Sequence, residues 1–222
     1  MEDIVGWDVG TWSRAVRFWD AQLGRDGGSL DCLEMGAGPG GPSLWLASRG
    51  HRVVCSNLTN TEAMARPLHE RRGVTSLIGY EDIDAASIPY TSRFDVIVFK
   101  SVLGGIGSDF ASSKQAIDGM LAALKPGGRV FFAENLRGGI LHRIVRALAN
   151  RHRNAAWRFM TVGQYREMFR GFSSLTVDST GVIAVFGLTE RHRRVLATID
   201  DAVFNRLMPR SGRYMIYGVA TK

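Results

Sequence analysis

The sequence predicts an α/β fold built around a parallel sheet. Short apolar runs of strand length alternate with helix-length patterns along the 222 residues, and βαβ units produce this alternation. A glycine-rich loop at residues 36–41 directly follows the first apolar run. Glycine permits a tight turn and a close approach of backbone N–H groups to a ligand. The start of the chain therefore predicts a strand, a ligand-binding loop and a helix, in that order.

The remaining elements follow in alternation. The predicted strands are residues 30–35, 52–57, 76–79, 94–99, 129–133, 174–178 and 214–220. The predicted helices are residues 12–23, 42–49, 61–72, 112–124, 139–150 and 162–169. The helix at 42–49 points its positive N-terminal end at the glycine loop, and Asn60 is a suitable N-cap for the helix that begins at residue 61.

Composition favours one globular domain spanning residues 1–222. The length suits a single α/β domain, and no apolar run approaches the ~20 residues of a membrane span. The first residues lack the basic and then apolar pattern of an export signal. Cys32 and Cys55 fall in predicted strands, where cysteine behaves as a small buried apolar residue. We therefore expect a cytoplasmic protein.

The glycine loop by itself fits two cofactor classes. Gly36, Gly38 and Gly41 satisfy the dinucleotide pattern G-x-G-x-x-G, whereas Gly36, Gly38 and Gly40 satisfy a loop of the form E-x-G-x-G-x-G. Glu34 favours the second pattern. A carboxylate beside the loop suits a cofactor with cationic groups and would repel a pyrophosphate.

Two further stretches indicate a family. Residues 124–128 read Leu-Lys-Pro-Gly-Gly before the fifth predicted strand, and residues 84–95 read D-A-A-S-I-P-Y-T-S-R-F-D before the fourth. With the loop, these resemble, in order and spacing, the motifs of class I S-adenosylmethionine-dependent methyltransferases over residues 30–135. The resemblance implies a seven-stranded, mostly parallel, Rossmann-like sheet of order 3-2-1-4-5-7-6 with an antiparallel last strand. It implies S-adenosyl-L-methionine as cofactor.

The resemblance also implies the cofactor-binding residues. Gly36, Gly38 and Gly40 would cradle the methionyl part, and Glu34 would help to place it. Asn57 stands where the family usually has an acidic residue that binds the ribose, so cofactor affinity is in question. Asp84 would accept from the adenine amino group, with Asp82 as its rival. The remaining predicted cofactor contacts are Leu58, Ile83 and Lys100.

Candidates for a catalytic base lie after the fifth strand. Glu134 is predicted at the carboxyl end of that strand, and His142 lies on a helix one turn from Arg146. A histidine can titrate near neutral pH and accept a hydroxyl proton. An acceptor that needs no base remains an alternative. No cluster of side chains has metal-ligand spacing, so no metal site is predicted.

Two segments are predicted to cover the site. Residues 1–28 are aromatic-rich and would form a lid helix, with Trp12 contacting the substrate. Residues 135–172 exceed a minimal crossover and would form a helical cap over the carboxyl ends of the strands, where ligands bind in such sheets. Residues 137–170 contain eight arginines and one glutamate, so the charge of this stretch equals the net charge of the whole chain, +7. We expect Arg143 and Arg146 to face an acceptor there.

These patterns predict methyl transfer to a hydroxyl of a small-molecule or glycan-type acceptor that is anionic or contains a sugar. Several stretches are also similar to methyltransferases of bacterial polysaccharide and secondary-metabolite clusters. One alternative is an RNA methyltransferase, although aromatic residues are not interleaved with the basic ones as stacking platforms would be. The other is a degenerate methyltransferase fold that contacts anions or an anionic membrane surface through its basic amphipathic helix. The sequence does not predict the oligomeric state.

Overall fold

The computed structural model describes residues 1–24, 28–107, 109–149 and 157–222. Its seven strands are β1 Asp31–Met35, β2 Arg52–Asn57, β3 Ile78–Asp82, β4 Phe94–Lys100, β5 Leu124–Asn135, β6 Ser174–Thr180 and β7 Met215–Thr221. Its helices are α1 Glu2–Val5, α2 Val9–Leu23, α3 Gly41–Ala47, α4 Thr61–Arg71, α5 Phe110–Ala123, α6 Ile140–Ala149, α7 Val162–Met168, α8 Glu190–Ile199 and α9 Asn205–Leu207.

The sheet has the predicted order, β3-β2-β1-β4-β5-β7-β6. The first five strands are parallel to their neighbours, and β7 runs antiparallel to both β5 and β6. The carboxyl ends of β1, β2 and β4 therefore meet at one edge. The prediction of a seven-stranded, mostly parallel sheet is confirmed.

Helices cover both faces of the sheet because the central strands carry apolar side chains on both faces. One core contains Trp12, Trp19 and Trp45, which pack α2 and α3 onto the strands. The other contains Phe99, Phe132 and Tyr165, which pack α5 and α7 onto the opposite face. These two cores fix the strand ends that carry the candidate site.

Two element boundaries differ from the sequence prediction. β5 begins at Leu124, five residues earlier than predicted, because Leu124 already pairs with Phe94 of β4. The Lys-Pro-Gly-Gly stretch then forms an irregularity, and regular pairing resumes where Val96 meets Arg129. Gly127 takes a φ of 75° there, a value that glycine adopts without strain. The connection between β6 and β7 was predicted without helices, and it contains α8 and α9.

The predicted lid differs from the structure. Trp12, Ala15, Val16 and Trp19 of α2 are buried against the sheet, so this helix is a fixed layer of the core. The short α1 lies on the start of α3, where a Cβ on Gly41 would come within 2.1 Å of the Ile4 carbonyl oxygen. Residues 25–27 of the predicted lid lie outside the described residues. Within the described chain, no helix is long and apolar enough to cross a membrane.

Candidate functional site

The glycine loop after β1 has the backbone that its sequence requires. Gly36, Gly38 and Gly40 have φ values of 64°, 53° and 83°, in the left-handed region that favours glycine. A Cβ on Gly36 would lie 2.5 Å from Val102 Cγ2, and one on Gly40 would lie 2.5 Å from the His69 ring. A Cβ on Gly38 would meet nothing within 4 Å. Gly36 and Gly40 are thus fixed by packing, whereas Gly38 borders open space.

Glu34 supports this loop from below. The residue is buried, and its Oε2 accepts a 2.7 Å hydrogen bond from the Ser43 backbone N–H in the first turn of α3. Burial raises the pKa of Glu34 to about 8, although the Ser43 hydrogen bonds oppose the shift. Glu34 therefore holds the helix that follows the loop, a different role from the predicted placement of the cofactor.

Asn57 has a different partner from the predicted one. Its Oδ1 accepts from the Gly38 N–H at 2.8 Å, and its Nδ2 donates to the Gly38 carbonyl oxygen at 3.3 Å. Both halves of the amide are thus engaged with the glycine loop, and contact of Asn57 with a ribose stays a prediction. Asn57 lies at the end of β2 as predicted, and from there it fixes the conformation of Gly38.

A cavity of about 440 Å³ opens beside the glycine loop, within the size range of small-ligand pockets. Leu58, Ile83 and Asp84 line it together with Gly36, so four predicted cofactor residues converge. Asp84 Oδ1 accepts from the Ala86 N–H at 2.8 Å, which fixes the turn.

The rival carboxylate, Asp82, is engaged elsewhere. Its oxygens accept from the backbone N–H groups of Asn60 and Thr61 at 3.1 and 2.9 Å, at the start of α4. A hydrogen bond from the Thr61 hydroxyl, together with these N–H groups, holds the pKa of Asp82 below its usual value. Asp82 therefore caps α4 in place of the Asn60 side chain, which leaves Asp84 as the carboxyl on the cavity.

The segment after β4 forms the opposite wall of the cavity. Ser101 has a φ of 54°, an uncommon conformation outside glycine that is often found at functional sites. Its N–H donates to the Ala133 carbonyl at 2.9 Å, and its Oγ accepts from Asn135 Nδ2 at 3.2 Å. Ser101 and Val102 both line the cavity. Contacts with β5 thus set the position of this wall.

Glu134 fixes the same wall from inside the protein. Its Oε1 accepts from the N–H groups of Val102 and Leu103 at 2.6 and 2.9 Å, and the residue is fully buried. Burial raises the pKa of Glu134 to about 7, against the effect of those two hydrogen bonds. Glu134 therefore positions the backbone of the wall. It does not line the cavity, where a base would have to act.

Lys100 lies on the other side of β4 from the cavity wall. Its Nζ is 4.6 Å from the centroid of the Trp12 ring, a cation–π contact. Burial lowers the pKa of Lys100, and the carboxyls of Glu134 and Glu34 oppose the shift. Trp12 is fully buried, so its predicted contact with substrate is absent from this arrangement. The Lys100 ammonium links α2 to the carboxyl ends of the central strands.

His142 does not serve the predicted role of a base. Its Nδ1 accepts from the Gly139 N–H at 3.1 Å, and its Nε2 lies 2.7 Å from the Val182 carbonyl oxygen. The ring also stacks on Phe186 at 5.3 Å between centroids. With both ring nitrogens engaged and the side chain buried, His142 attaches α6 to the β6–β7 connection.

The predicted cap divides into two parts. α7 belongs to the core, because Tyr165 and Met168 are buried beside Phe132, so it is not a cap. α6 exposes Arg143, which does not line the cavity. The side chain of Arg146 and all of residues 150–156 lie outside the described part of the chain. Contact of Arg143 and Arg146 with an acceptor stays a prediction.

Sequence reasoning missed several residues of the cavity. Gln115 of α5 lines it and donates through Nε2 to the Ala86 carbonyl at 2.9 Å, and Gly105, Ile106 and Ser112 complete that side. Gly104 and Gly105, which follow β4, could have indicated from the sequence that another group packs closely on this loop. A Cβ on Gly104 would lie 2.3 Å from Trp157 Nε1, so this pair makes room for an indole that packs on the loop.

Comparison with known families supports the interpretation of the motifs. Residues 33–132 match the family model described as a methyltransferase domain. This region runs from the middle of β1 to near the end of β5 and contains the glycine loop, the cavity residues and the wall after β4. A search of the curated proteins found no match.

Solved structures share the fold at low sequence identity. A Bacillus halodurans C-125 protein inferred to be a methyltransferase superposes with a TM-score of 0.66 at 16% identity, covering 95% of this chain and 99% of that chain. Haemonchus contortus phosphoethanolamine N-methyltransferase 2, in complex with phosphomonomethylethanolamine and S-adenosylhomocysteine, superposes with a TM-score of 0.65 at 17% identity. The match covers 95% of this chain and 52% of that chain.

A third structure is that of Burkholderia thailandensis 1,6-didemethyltoxoflavin-N1-methyltransferase, crystallised with 1,6-didemethyltoxoflavin and S-adenosylhomocysteine. Its TM-score is 0.60 at 18% identity, with 94% of this chain and 76% of that chain covered. At such identities these likenesses concern the fold. The family model identifies residues 33–132 of this chain as a methyltransferase domain, on a fold shared with proteins that were crystallised with S-adenosylhomocysteine.

Proposed function

We propose that this methyltransferase acts on a hydroxyl of a small acceptor that is anionic or contains a sugar, and that the cavity beside Gly36 holds the cofactor. The cavity carries the proposal. It has apolar side chains, Leu58 and Ile83, for an adenine ring and a carboxyl on Asp84 for an exocyclic amine. In the same glycine loop, the open space at Gly38 would receive the methionyl part. These features fit S-adenosylmethionine and give no particular reason for a pyrophosphate.

The bound cofactor supplies a methyl group on a positively charged sulfur. The residues of this chain contribute position, because methyl transfer requires donor and acceptor to be aligned. Asn57 fixes Gly38 of the glycine loop, and Glu134 fixes Val102 on the wall of the cavity. We assign no general base, since Glu134 is buried behind its loop and His142 is fully hydrogen-bonded.

Charge supports an anionic acceptor. The region after β5 contains Arg143 and Arg146 on α6, and no acidic residue occurs in the sequence between Glu134 and Glu167. The Haemonchus enzyme, which shares the fold, is crystallised with a phosphate-bearing molecule. A panel of sugar phosphates, neutral sugars and a structured RNA, each assayed for transfer of a labelled methyl group, tests the acceptor class. Labelling of RNA alone would refute the proposal.

Cofactor placement is tested with two glycine variants. Gly38→Ala and Gly73→Ala each put a Cβ on a left-handed residue, with φ of 53° and 66°, and in each case no atom lies within 4 Å. Both should destabilise the protein by about 1–2 kcal/mol. Only Gly38→Ala should weaken binding of S-adenosylhomocysteine in calorimetry, by about tenfold or more, because its methyl group enters the proposed ligand space.

The same titrations separate the competing cofactors. The wild-type protein should bind S-adenosylhomocysteine and give no heat with NAD. Binding of NAD alone would contradict the cavity assignment. Equal affinities in the two glycine variants would move the cofactor away from Gly38.

A further inference from the structure

Exposed apolar side chains are concentrated in two segments of this chain. Among the described residues, thirteen large apolar side chains are exposed, and nine of them lie on α6 or between residues 188 and 207. On α6 the exposed fractions are 74% for Ile140, 53% for Leu141, 52% for Ile144 and 37% for Val145. A monomeric protein seldom leaves such a cluster in water without an interaction that uses it.

The two segments are joined. His142 of α6 lies 2.7 Å from the Val182 carbonyl oxygen through Nε2 and stacks on Phe186. At the other end of the connection, Gly139 approaches Gly212 so closely that a Cβ on Gly139 would lie 3.5 Å from the Gly212 carbonyl oxygen. Residues on both sides of the segment that carries exposed Leu188 and Leu207 therefore contact the start of α6.

The charge of α6 and of the residues that flank it in sequence has one sign. Arg143 and Arg146 occupy α6, and Arg137 precedes it, with no acidic residue in the sequence from 135 to 166. Exposed aliphatic side chains beside arginines on one amphipathic helix match the interface of an anionic bilayer. Apolar side chains enter the boundary of the acyl chains there, while arginines extend to the lipid phosphates.

RNA fits this surface less well. Single-stranded nucleic acid is held by aromatic side chains on which bases stack, whereas the large apolar side chains exposed on α6 are isoleucine, leucine and valine. A phosphate-bearing small molecule would account for the arginines but not for four exposed aliphatic side chains. The combination of charge and apolar surface favours lipid.

We propose that α6, together with the adjoining part of the β6–β7 connection, binds the surface of a membrane that contains anionic phospholipid. α6 follows β5, whose last residue, Asn135, donates a hydrogen bond to Ser101 on the wall of the cavity. Binding through α6 therefore brings the edge of the sheet that holds the cavity toward the lipid. This proposal does not depend on the acceptor, since it concerns a surface outside the cavity.

Flotation of the 222-residue chain with vesicles tests the proposal. Vesicles of phosphatidylcholine with 30% phosphatidylglycerol are compared with pure phosphatidylcholine, at low and high salt. We expect at least tenfold tighter binding to the anionic vesicles, with a large loss at high salt because screening weakens attraction between exposed charges. Binding to neither vesicle would overturn the proposal.

Matched variants locate the binding surface. Ile144→Asn should reduce vesicle binding about tenfold, whereas Met64→Asn on α4 should not, although the two side chains are 52% and 51% exposed. Arg143→Gln with Arg146→Gln should also reduce binding about tenfold or more. Arg166→Gln with Arg170→Gln, in the same basic stretch but on and just after α7, is the charge control.

Two measurements separate membrane binding from misfolding and from self-association. Each variant should keep its melting temperature and its affinity for S-adenosylhomocysteine, so that lost vesicle binding reflects the surface and not the fold or the cofactor site. Light scattering tests whether the same face joins two copies. A wild-type dimer that Ile144→Asn converts to a monomer, with unchanged vesicle binding, would overturn the proposal in favour of self-association.

Discussion

Asn57 illustrates how far a single residue can be interpreted from sequence. Its place at the end of β2 could be predicted, because the strand and the motif spacing define it. Its partner could not, because that depends on the left-handed turn at Gly38, which brings a backbone N–H and a carbonyl to the same amide. An amide both donates and accepts, whereas a carboxylate only accepts, so an asparagine suits this position.

Replacing Asn57 by aspartate should therefore weaken the site. Asn57→Asp retains an acceptor for the Gly38 N–H but places a carboxylate against the Gly38 carbonyl, now 3.3 Å from Nδ2. We expect a loss of about 1 kcal/mol or more, measured as a five- to tenfold weaker affinity for S-adenosylhomocysteine. A tighter affinity would show that the side chain binds ribose after all.

Asn205 provides the control for that change. Its Oδ1 accepts from the Gly181 N–H at 2.9 Å, and its Nδ2 donates to Thr180 Oγ1 at 3.0 Å, in a bridging arrangement away from the cavity. Asn205→Asp should lower the melting temperature and leave cofactor affinity unchanged.

At the scale of elements, α8 is the clearest omission from the sequence prediction. Helices were predicted from apolar stripes that face a core, and α8 has none, since Ala197 is its one buried residue. α8 packs on α2 through small residues, and a Cβ on Gly10 would lie 2.8 Å from Ala197 Cβ. Val195 and Ile199 are exposed, so the apolar residues of this segment do not mark the face of α8 that packs on the core.

Asp200 holds the β6–β7 connection together. Its buried carboxylate accepts hydrogen bonds of 2.9 to 3.1 Å from the consecutive N–H groups of Val182, Ile183 and Ala184. Asp200→Ala leaves these groups without an acceptor, so we expect a loss of about 2–4 kcal/mol of unfolding free energy. Urea denaturation followed by circular dichroism measures it.

The neighbouring Asp201 makes the comparison specific. Its carboxylate pairs with Arg14 and its side chain is 55% exposed, so Asp201→Ala should lose at most about 1 kcal/mol. Similar losses in both variants would mean that Asp200 does not organise the connection. Asp200→Ala should also speed proteolytic cleavage within this connection, because a connection that has lost its shared acceptor opens more often.

Across the whole molecule, the sequence predicted the layers better than the roles of charged groups. Alternating apolar runs identified the strands and most helices, and the family motifs implied the sheet order that the structure has. Glu34 and Glu134 were predicted to act on ligands, and both instead hold backbone N–H groups from within the protein. Burial and hydrogen-bond direction depend on tertiary packing, which sequence patterns do not specify.

These buried carboxyls give the folded protein a distinctive dependence on pH. Burial raises the pKa of Glu34 to about 8 and that of Glu134 to about 7, so the folded state binds these protons more tightly than the unfolded chain does. Their contribution to stability is complete below the unfolded value near 4.5. It is lost as pH rises through 7 and 8. The unfolding free energy should therefore fall between about pH 5 and 8.

Glu134→Gln tests this dependence. Glutamine keeps an oxygen that can accept from the Val102 and Leu103 N–H groups but cannot ionise, so the decline between pH 5 and 7 should become shallower by an amount of the order of 1–3 kcal/mol. Urea denaturation at half-unit steps of pH measures the two profiles. Glu167→Gln, on the exposed side of α7, should reproduce the wild-type curve. Parallel profiles for wild type and Glu134→Gln would mean that Glu134 remains ionised throughout and that the pH dependence arises elsewhere.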